Sequence, residues 1–193
     1  MFRATRATPR AVPRLAPMPR KAPPAARTRK AGIVSSSHLV SPRSAELSEF
    51  EFGLIVAWNA FSRWAVRCMA AAGVGDLTIT DVLLLHHVNH RARNKKLADI
   101  CFVLNYEDTH VVAYSLKKLV SGGLVATEKI GKEVIYSPTA AGEAAVMAYR
   151  QVREQCLVES LDTELNAPIG ELARLLRTMS GMYDQAARAA SSL

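Results

Sequence analysis

Basic side chains are concentrated in the middle of the chain, between residues 91 and 133. Ten of the 25 Lys and Arg residues lie at or before Arg43, and eight of the remaining 15 lie in this stretch, against five acidic residues. The eight are Arg91, Arg93, Lys95, Lys96, Lys117, Lys118, Lys129 and Lys132. Ammonium and guanidinium groups bind phosphate oxygens, and hydroxyl groups nearby can add hydrogen bonds. These residue types therefore indicate binding of a polyanion.

Metal and catalytic chemistry have less support in the sequence. His86, His87 and His90 share a short stretch, and histidines spaced i, i+4 on a helix can ligate zinc. No cysteine lies close in sequence, so partly buried or interface histidines are the favoured interpretation and no metal is predicted. There is also no glycine-rich phosphate loop and no nucleophile-elbow motif. We therefore expect neither an enzyme nor a cofactor.

Three helices are predicted to position the basic stretch. The first opens with Thr78 three residues before Asp81, a capping-box spacing, and buries Val82, Leu84, Leu85 and Val88. The second, KLADICFVLN, places Leu97, Ile100, Cys101 and Leu104 at helical spacing, and the polar residues 105–108 follow it.

The third predicted helix, THVVAYSLKKLVSGG, has two distinct faces. Val112, Leu116 and Leu119 repeat at four and three residues and must face the core. The outward face then consists of His110, Ala113, Tyr114, Lys117 and Lys118. Small, hydroxylated and basic groups of this kind are typical of a helix that enters a DNA groove.

A hairpin, or wing, is predicted after the third helix. Residues 124–127 and 133–136 alternate like strands around the turn 129–132, in which Gly131 permits a positive φ. Thr139 can cap the next helix, with Glu143 in its first turn. The whole order, from about residue 76 to 139, is that of a winged helix-turn-helix, so the predicted fold class is mainly α with a small β-wing.

The chain resembles the MarR family of bacterial transcription regulators. The segments LADICFVLN, EDTHVVAYSLKKLVSGGLVATEK and VIYSPTAAGEAAV look like that family's second helix, its recognition helix with the trailing strand, and its wing exit. The resemblance covers about residue 44 to the C-terminus and implies double-stranded DNA as partner. His110, Ala113, Tyr114 and Lys117 would then approach bases, and Thr109, Lys118, Lys129 and Lys132 would hold phosphates. Arg91, Arg93, Lys95 and Lys96 lie in the loop 91–96 that joins the first two helices, which either touches phosphates or is simply solvated.

Long amphipathic helices flank the winged unit, at about residues 44–73 and 140–193. The apolar positions Phe50, Leu54, Trp58, Phe61, Ala65 and Cys68 recur at steps of three and four, and residues 141–161 are predicted as one further helix. After Pro168, a heptad-like series runs through Ile169, Leu172, Leu176, Met179 and Tyr183. The resemblance implies that these helices form a homodimer; an intramolecular bundle is the alternative.

The resemblance also implies a crevice between the dimerisation helices and the winged unit that takes a small aromatic or acidic effector. The side chains placed to line it are Trp58, Arg63, Arg67, His86, His87 and Tyr149. An arginine beside aromatic surface suits an aromatic carboxylate. The same residues would equally serve to pack a dimer neck.

Residues 1–42 differ in composition from the rest. The stretch through Arg43 has ten basic residues and no acidic one, so the net charge of +8 becomes −2 for the remainder, with 15 basic and 17 acidic residues. This Pro/Ala/Arg-rich stretch is predicted to be disordered. It is either a DNA-binding arm, a product of a start site assigned too far upstream, or a transit-like peptide. Residues 43–193 form the predicted MarR-like domain.

No run of apolar residues is long enough for a membrane span and no secretory signal is recognisable, so a cytoplasmic protein without a membrane partner is predicted. Cys68, Cys101 and Cys156 are predicted to be reduced core thiols, and Cys68, next to Arg67, is the best candidate for a peroxide-sensing thiol. The predicted function is a DNA-binding regulator of repressor type that binds a pseudo-palindromic operator as a homodimer. The alternative is a dimeric winged-helix adaptor that binds proteins without reading DNA.

Overall fold

The computed structural model describes residues 37–44, 46–90 and 94–193. The predicted basic tail therefore lies outside the described residues up to position 36. The chain divides into two units, residues 1–52 and 53–193. In the first unit a short 3-10 turn, Ser37–Leu39, precedes an isolated β-bridge between Ser41 and Ser44.

Six α-helices are present among the described residues. Their bounds are α1 Glu46–Ala71, α2 Ile79–Asn89, α3 Leu97–Leu104, α4 Thr109–Ser121, α5 Ala140–Arg153 and α6 Asn166–Ala190. Helix α1 begins in the first unit and continues into the second. Helices α2, α3 and α4 follow one another in the order that the sequence predicts, and α2 packs against both α4 and α5.

Local side-chain caps set the starts of three of these helices, α2, α4 and α5. Thr78 and Asp81 form the predicted capping box at α2, with Thr78 N donating to Asp81 Oδ2 at 2.8 Å and Asp81 N donating to Thr78 Oγ1 at 3.2 Å. Asp108 accepts from His110 N at 2.8 Å and so caps α4. Thr139 accepts from Gly142 N at 3.0 Å at the start of α5, as predicted. Each cap satisfies a backbone donor that the helix itself leaves free.

A three-stranded antiparallel sheet with the strand order β1-β3-β2 forms the wing. The strands are β1 Lys95–Lys96, β2 Val125–Ile130 and β3 Glu133–Pro138. Ile130 pairs with Glu133 next to the turn, and Gly131 adopts a φ of 62° there. The hairpin is longer than predicted. The sequence also assigned Lys95 and Lys96 to a loop, whereas they pair with Tyr136 and Ile135 of β3.

The hydrophobic core lies between α2, α4 and the neighbouring parts of α1 and α5. Val82, Leu84, Leu85 and Val88 of α2 are fully buried, as are Val112, Leu116 and Leu119 of α4, and all seven were predicted to face inward. Fully burying a Val or Leu side chain contributes about 1.5–3 kcal/mol. The core therefore fixes which face of α4 remains outside.

The C-terminal part differs from its prediction as one helix over residues 141–161. Helix α5 ends at Arg153 and continues as a single π-helical turn, Glu154–Val158, before a 3-10 turn, Thr163–Leu165, leads into α6. No residue of α6 is buried. Cys68 and Cys101 are buried thiols, as predicted, but Cys156 lies in the π-helical turn and is exposed, so its assignment to the core was wrong.

Among the described residues, none of the helices combines the length and the apolar character that crossing a membrane requires.

Candidate nucleic-acid interface

Helix α4 presents a polar face away from the core. Thr109, His110 and Lys117 are exposed, Ala113 is half-buried, and Tyr114 is 75% exposed. His110, Tyr114 and Lys117 follow one another at four and three residues, so they form one row along the helix. Because Val112, Leu116 and Leu119 hold the opposite face in the core, the orientation of this row is fixed by packing.

Lys118 differs from the other predicted contact residues because its ammonium group is already bound within the protein. Lys118 Nζ lies 2.9 Å from Asp81 Oδ2 and also donates to the carbonyl oxygen of Asp76. Ser115 Oγ donates to the other oxygen, Asp81 Oδ1. Burial alone would raise the pKa of Asp81, but the hydrogen bonds from Ser115, Lys118 and Thr78 outweigh it and lower the pKa. Asp81 is therefore an ionised carboxylate that joins α2 to α4.

The wing carries two further exposed cations. Lys129 and Lys132 flank the turn at Gly131, and Ile130 between them is also exposed. At the opposite edge of the sheet, Lys96 Nζ lies 2.6 Å from Glu133 Oε2, which ties β1 to β3. Lys129 and Lys132 at the tip are thus separate from Lys96, which joins β1 to β3.

The basic stretch between α2 and α3 is described from Asn94 onward. Arg91 and Arg93 lie outside the described residues. Lys95 Nζ donates to His90 O at 2.5 Å and to Val88 O at 3.4 Å, and so satisfies carbonyl groups at the end of α2. Lys95 thus serves as a C-terminal helix cap, a role that the sequence did not predict.

A cavity of about 420 Å³ lies between α1, α2 and α5. Its lining consists of Phe61, Ala65, Val82, Leu83, His86, Val146, Tyr149, Arg150 and Arg153. His86 meets the ring of Tyr149 edge-on, with centroids 4.4 Å apart. Within the described part of the chain, His86 Nε2 is buried and has no hydrogen-bond partner. Burial lowers the pKa of His86, which favours the neutral ring.

Two of the six residues predicted to line an effector crevice lie in this cavity, namely His86 and Tyr149. His87 lines a neighbouring cavity of about 530 Å³ that it shares with His86. Trp58, Arg63 and Arg67 line neither cavity.

The directions in which side chains leave α1 explain why its two arginines do not line the cavity. Arg63 and Arg67 are each two residues from the nearest lining position of α1, Ala65, a rotation of about 200° around a helix. Trp58 instead packs on Phe61, with ring centroids 6.1 Å apart. The arginines at the cavity are Arg150 and Arg153, which were not predicted from the sequence. Their spacing from Val146, at four and seven residues, was the available signal.

The structure argues against Cys68 as a sensing thiol. The side chain is buried, its thiol donates to Tyr149 O at 3.5 Å, and burial, reinforced by Cys156, raises its pKa. A reactive thiol needs the opposite, a low pKa and access to solvent. Nor do residues 37–44, 46–90 and 94–193 contain any group of three or more His, Cys, Asp or Glu side chains that could hold a metal ion.

Comparison with known proteins identifies the fold. Residues 77–142 match the family model described as a winged helix DNA-binding domain. No curated protein matches the sequence. Among solved structures, AbfR of Staphylococcus epidermidis is 17% identical, with coverage of 72% of this chain and 94% of that chain and a TM-score of 0.59. A mutant MarR from E. coli, complexed with operator DNA, is 20% identical, with coverage of 69% and 95% and a TM-score of 0.57.

A MarR-family transcriptional regulator from a Rhodococcus species is 13% identical, with coverage of 67% of this chain and 93% of that chain and a TM-score of 0.53. At these identities the likeness shows the fold. The chain has the winged helix-turn-helix fold of the MarR-type regulators, which confirms the predicted fold class and, at that level, the resemblance seen in the sequence.

Proposed function

We propose that this chain is a cytoplasmic, non-enzymatic transcription regulator, of repressor type, which binds a pseudo-palindromic operator as a homodimer. The observation that carries the proposal is the outward row of α4, His110, Tyr114 and Lys117, followed by a wing with two exposed lysines at its tip. A helix of this kind reads base edges in the major groove, while cations at its flanks hold the phosphates.

The proposal assigns a role to each predicted contact residue. His110, Ala113, Tyr114 and Lys117 approach bases. Thr109, Lys129 and Lys132 hold phosphates, and Arg91 and Arg93 supply further phosphate contacts from the loop. Lys118 is omitted from the phosphate set because Asp81 already binds its ammonium group.

The central test is a selection from random DNA duplexes at moderate salt, which should enrich a sequence with two-fold symmetry. Lys132→Ala should then weaken binding to all sequences alike and reduce the slope of log K against log salt by about one, since a phosphate contact carries no sequence information. Tyr114→Ala should instead alter the enriched sequence. Arg174→Ala, which removes a cation from α6, is the control and should change neither property.

The homodimer is supported by the apolar surface that α1 and α6 leave uncovered. On α6 the exposed apolar residues are Ile169, Leu172, Leu175, Leu176, Met182 and Tyr183. Exposed apolar residues of α1 in the same unit are Leu54, Ile55, Val56, Trp58 and Phe61. Apolar surface on this scale marks a protein interface, and a second copy of the chain would place two α4 helices about 34 Å apart, one turn of DNA.

A charged substitution among the exposed apolar residues of α6 tests whether this face forms the dimer. Leu172→Asp should yield monomers in sedimentation and abolish operator binding, as should truncation after Asp162, because one half-site supplies only part of the contact energy. Gly181→Asp places the same charge nine residues after Leu172, about 180° around α6, where an added Cβ has no neighbour within 4 Å, and should leave the dimer intact. A Leu172→Asp protein that remains a DNA-competent dimer would refute this arrangement.

The effector is proposed to be an aromatic carboxylate bound in the cavity lined by Tyr149, Arg150 and Arg153. The volume of about 420 Å³ is within the range of small-molecule sites. An arginine can pair the carboxylate while Phe61 and Tyr149 cover the ring. Substituted benzoic acids should raise the melting temperature and lower operator affinity together. Arg150→Met with Arg153→Met should remove both effects, and Arg63→Met should remove neither.

One observation favours the adaptor as a second candidate. The chain after Arg43 has a net charge of −2, so cations are sparse outside the winged unit. A selection that enriches no motif, from a protein that is folded and dimeric, would refute the regulator and leave the adaptor.

A further inference from the structure

Asp81 lies almost entirely inside the protein, with 3% of its side chain exposed, and it binds two residues of α4. Oδ1 accepts from Ser115, and Oδ2 accepts from Lys118 at 2.9 Å and from Thr78 N at 2.8 Å. Both carboxylate oxygens are therefore occupied. The same side chain caps the start of α2, so Asp81 joins α4 to the N-terminus of α2.

Lys117 and Lys118 are neighbours in sequence but belong to different rows of α4. Lys117 shares its row with His110 and Tyr114, on the outward face. Lys118 lies three residues after Ser115, in the row that faces the start of α2, and its side chain is 38% exposed. Its ammonium group donates to Asp81 and to the Asp76 carbonyl, which accounts for two of its three N–H donors.

We propose that Asp81 is a positioning residue for DNA recognition: it fixes the rotation of α4 on α2 and keeps Lys118 away from DNA, so Lys118 makes no phosphate contact. The inference rests on the proposed DNA-binding function. It corrects the assignment of Lys118 to a phosphate, because a lysine that left Asp81 would strand a buried carboxylate without its cation.

The Asp81–Lys118 pair lies beside Tyr114, which is proposed to contact bases. A cavity of about 420 Å³ beside the pair is lined by Thr78, Thr80, Asp81, Val111, Tyr114, Ser115 and Lys118. Tyr114, which is 75% exposed, thus lines the same cavity as both members of the Asp81–Lys118 contact. A rotation of α4 after loss of the contact would therefore move Tyr114 along with it.

The first test compares two lysines by the same substitution. Lys132→Met should lower the salt slope by about one, which corresponds to about a 3.5-fold change in affinity over a fourfold change in salt. Lys118→Met retains the apolar stem and should leave the slope at the wild-type value. Equal decreases in the slope for the two variants would overturn the inference while leaving the proposed function in place.

The second test uses Asp81→Asn, which keeps the shape of the side chain but places an NH₂ group where one oxygen accepts. Lys118 is then released, so the salt slope should rise by about one, because one more cation becomes available to phosphates. The ratio of affinities for the selected and a scrambled duplex should fall, because Asp81 no longer fixes the rotation of α4 on α2. A purely structural role would reduce the folded fraction without raising the slope.

Ser115→Ala covers the case in which Asp81→Asn does not fold. This variant removes one hydrogen bond but keeps the Asp81–Lys118 pair, so the wild-type slope should be retained while discrimination between the two duplexes falls. Unchanged discrimination in Ser115→Ala would count against the positioning role. A wild-type protein that binds no duplex at all overturns the inference together with the proposed function.

Discussion

Replacement of Gly142 by alanine should strongly destabilise the protein, although alanine is the better helix former. Gly142 is buried in the first turn of α5, and a Cβ atom there would lie 2.1 Å from the carbonyl oxygen of Leu124 and 3.1 Å from its carbon. Carbon and oxygen atoms normally approach no closer than about 3.3 Å. The backbone of α5 and the residue before β2 must therefore separate by about 1.2 Å, and no side-chain rotation can relieve the overlap.

The magnitude follows from two opposing terms. Overpacking of a close contact costs about 3 kcal/mol or more when only backbone can move. The higher helix propensity of alanine returns about 1 kcal/mol. The expected net loss is about 2 kcal/mol in the free energy of unfolding. With a urea dependence of about 2 kcal/mol per molar, the midpoint should fall by about 1 M.

The assay is urea unfolding followed by circular dichroism, at one fixed protein concentration because a dimer unfolds in a concentration-dependent way. Gly181→Ala is the matched control: Gly181 lies within α6, and nothing stands within 4 Å of its added Cβ. That variant should keep or raise the midpoint. If Gly142→Ala also kept the wild-type midpoint, the close approach of α5 to Leu124 would be wrong.

Two further predictions concern titratable groups. A thiol reagent should modify the exposed Cys156 rapidly, and Cys68 and Cys101 only when the protein unfolds. The fast phase of modification should therefore be absent in Cys156→Ser. Rapid modification of a second thiol would contradict the burial of Cys68 and Cys101. Because burial lowers the pKa of His86, the unfolded chain binds a proton more readily, and stability should fall as the pH drops below about 6.5, the ordinary pKa of histidine. The urea midpoint at pH 5.5 should recover in part in His86→Phe, and an equal pH dependence in that variant would refute this cause.

Much of the winged unit could be predicted because its signals are local. The Thr78–Asp81 box and the spacing of Val112, Leu116 and Leu119 depend on neighbours within one or two helical turns. Burial of one face then determines which face stays outside. For this reason the starts and the inward residues of α2 and α4 follow from the sequence. In α3, Ile100 and Cys101 are buried as predicted, whereas Leu97 and Leu104 are half-buried.

Features that depend on distant partners could not be predicted in the same way. Strand β1 exists only because Lys95 and Lys96 pair with Tyr136 and Ile135 of β3, which lie 41 and 39 residues later in the chain. Lys118 was assigned to the outward face by periodicity alone, whereas the decisive fact is the position of Asp81, 37 residues away. The arginines of the cavity depend on how α1 and α5 rotate against α2, and periodicity within one helix does not determine that rotation.

Helix α2 connects the two sites on which the proposals rest. Its first turn carries Asp81, which binds α4, and one turn later His86 lines the cavity against Tyr149 of α5. A ligand that displaces α2 from α5 must therefore also displace α4. A ligand that fills the cavity without moving α2 binds equally well whether or not α4 is in the DNA-binding position, so it cannot regulate DNA binding. Operator DNA should then weaken binding of the first kind of ligand by the same factor by which the ligand weakens DNA binding. Asp81→Asn removes the polar part of this connection while the apolar packing of α2 on α4 remains, so the ligand should still bind and the two reciprocal factors should move toward one.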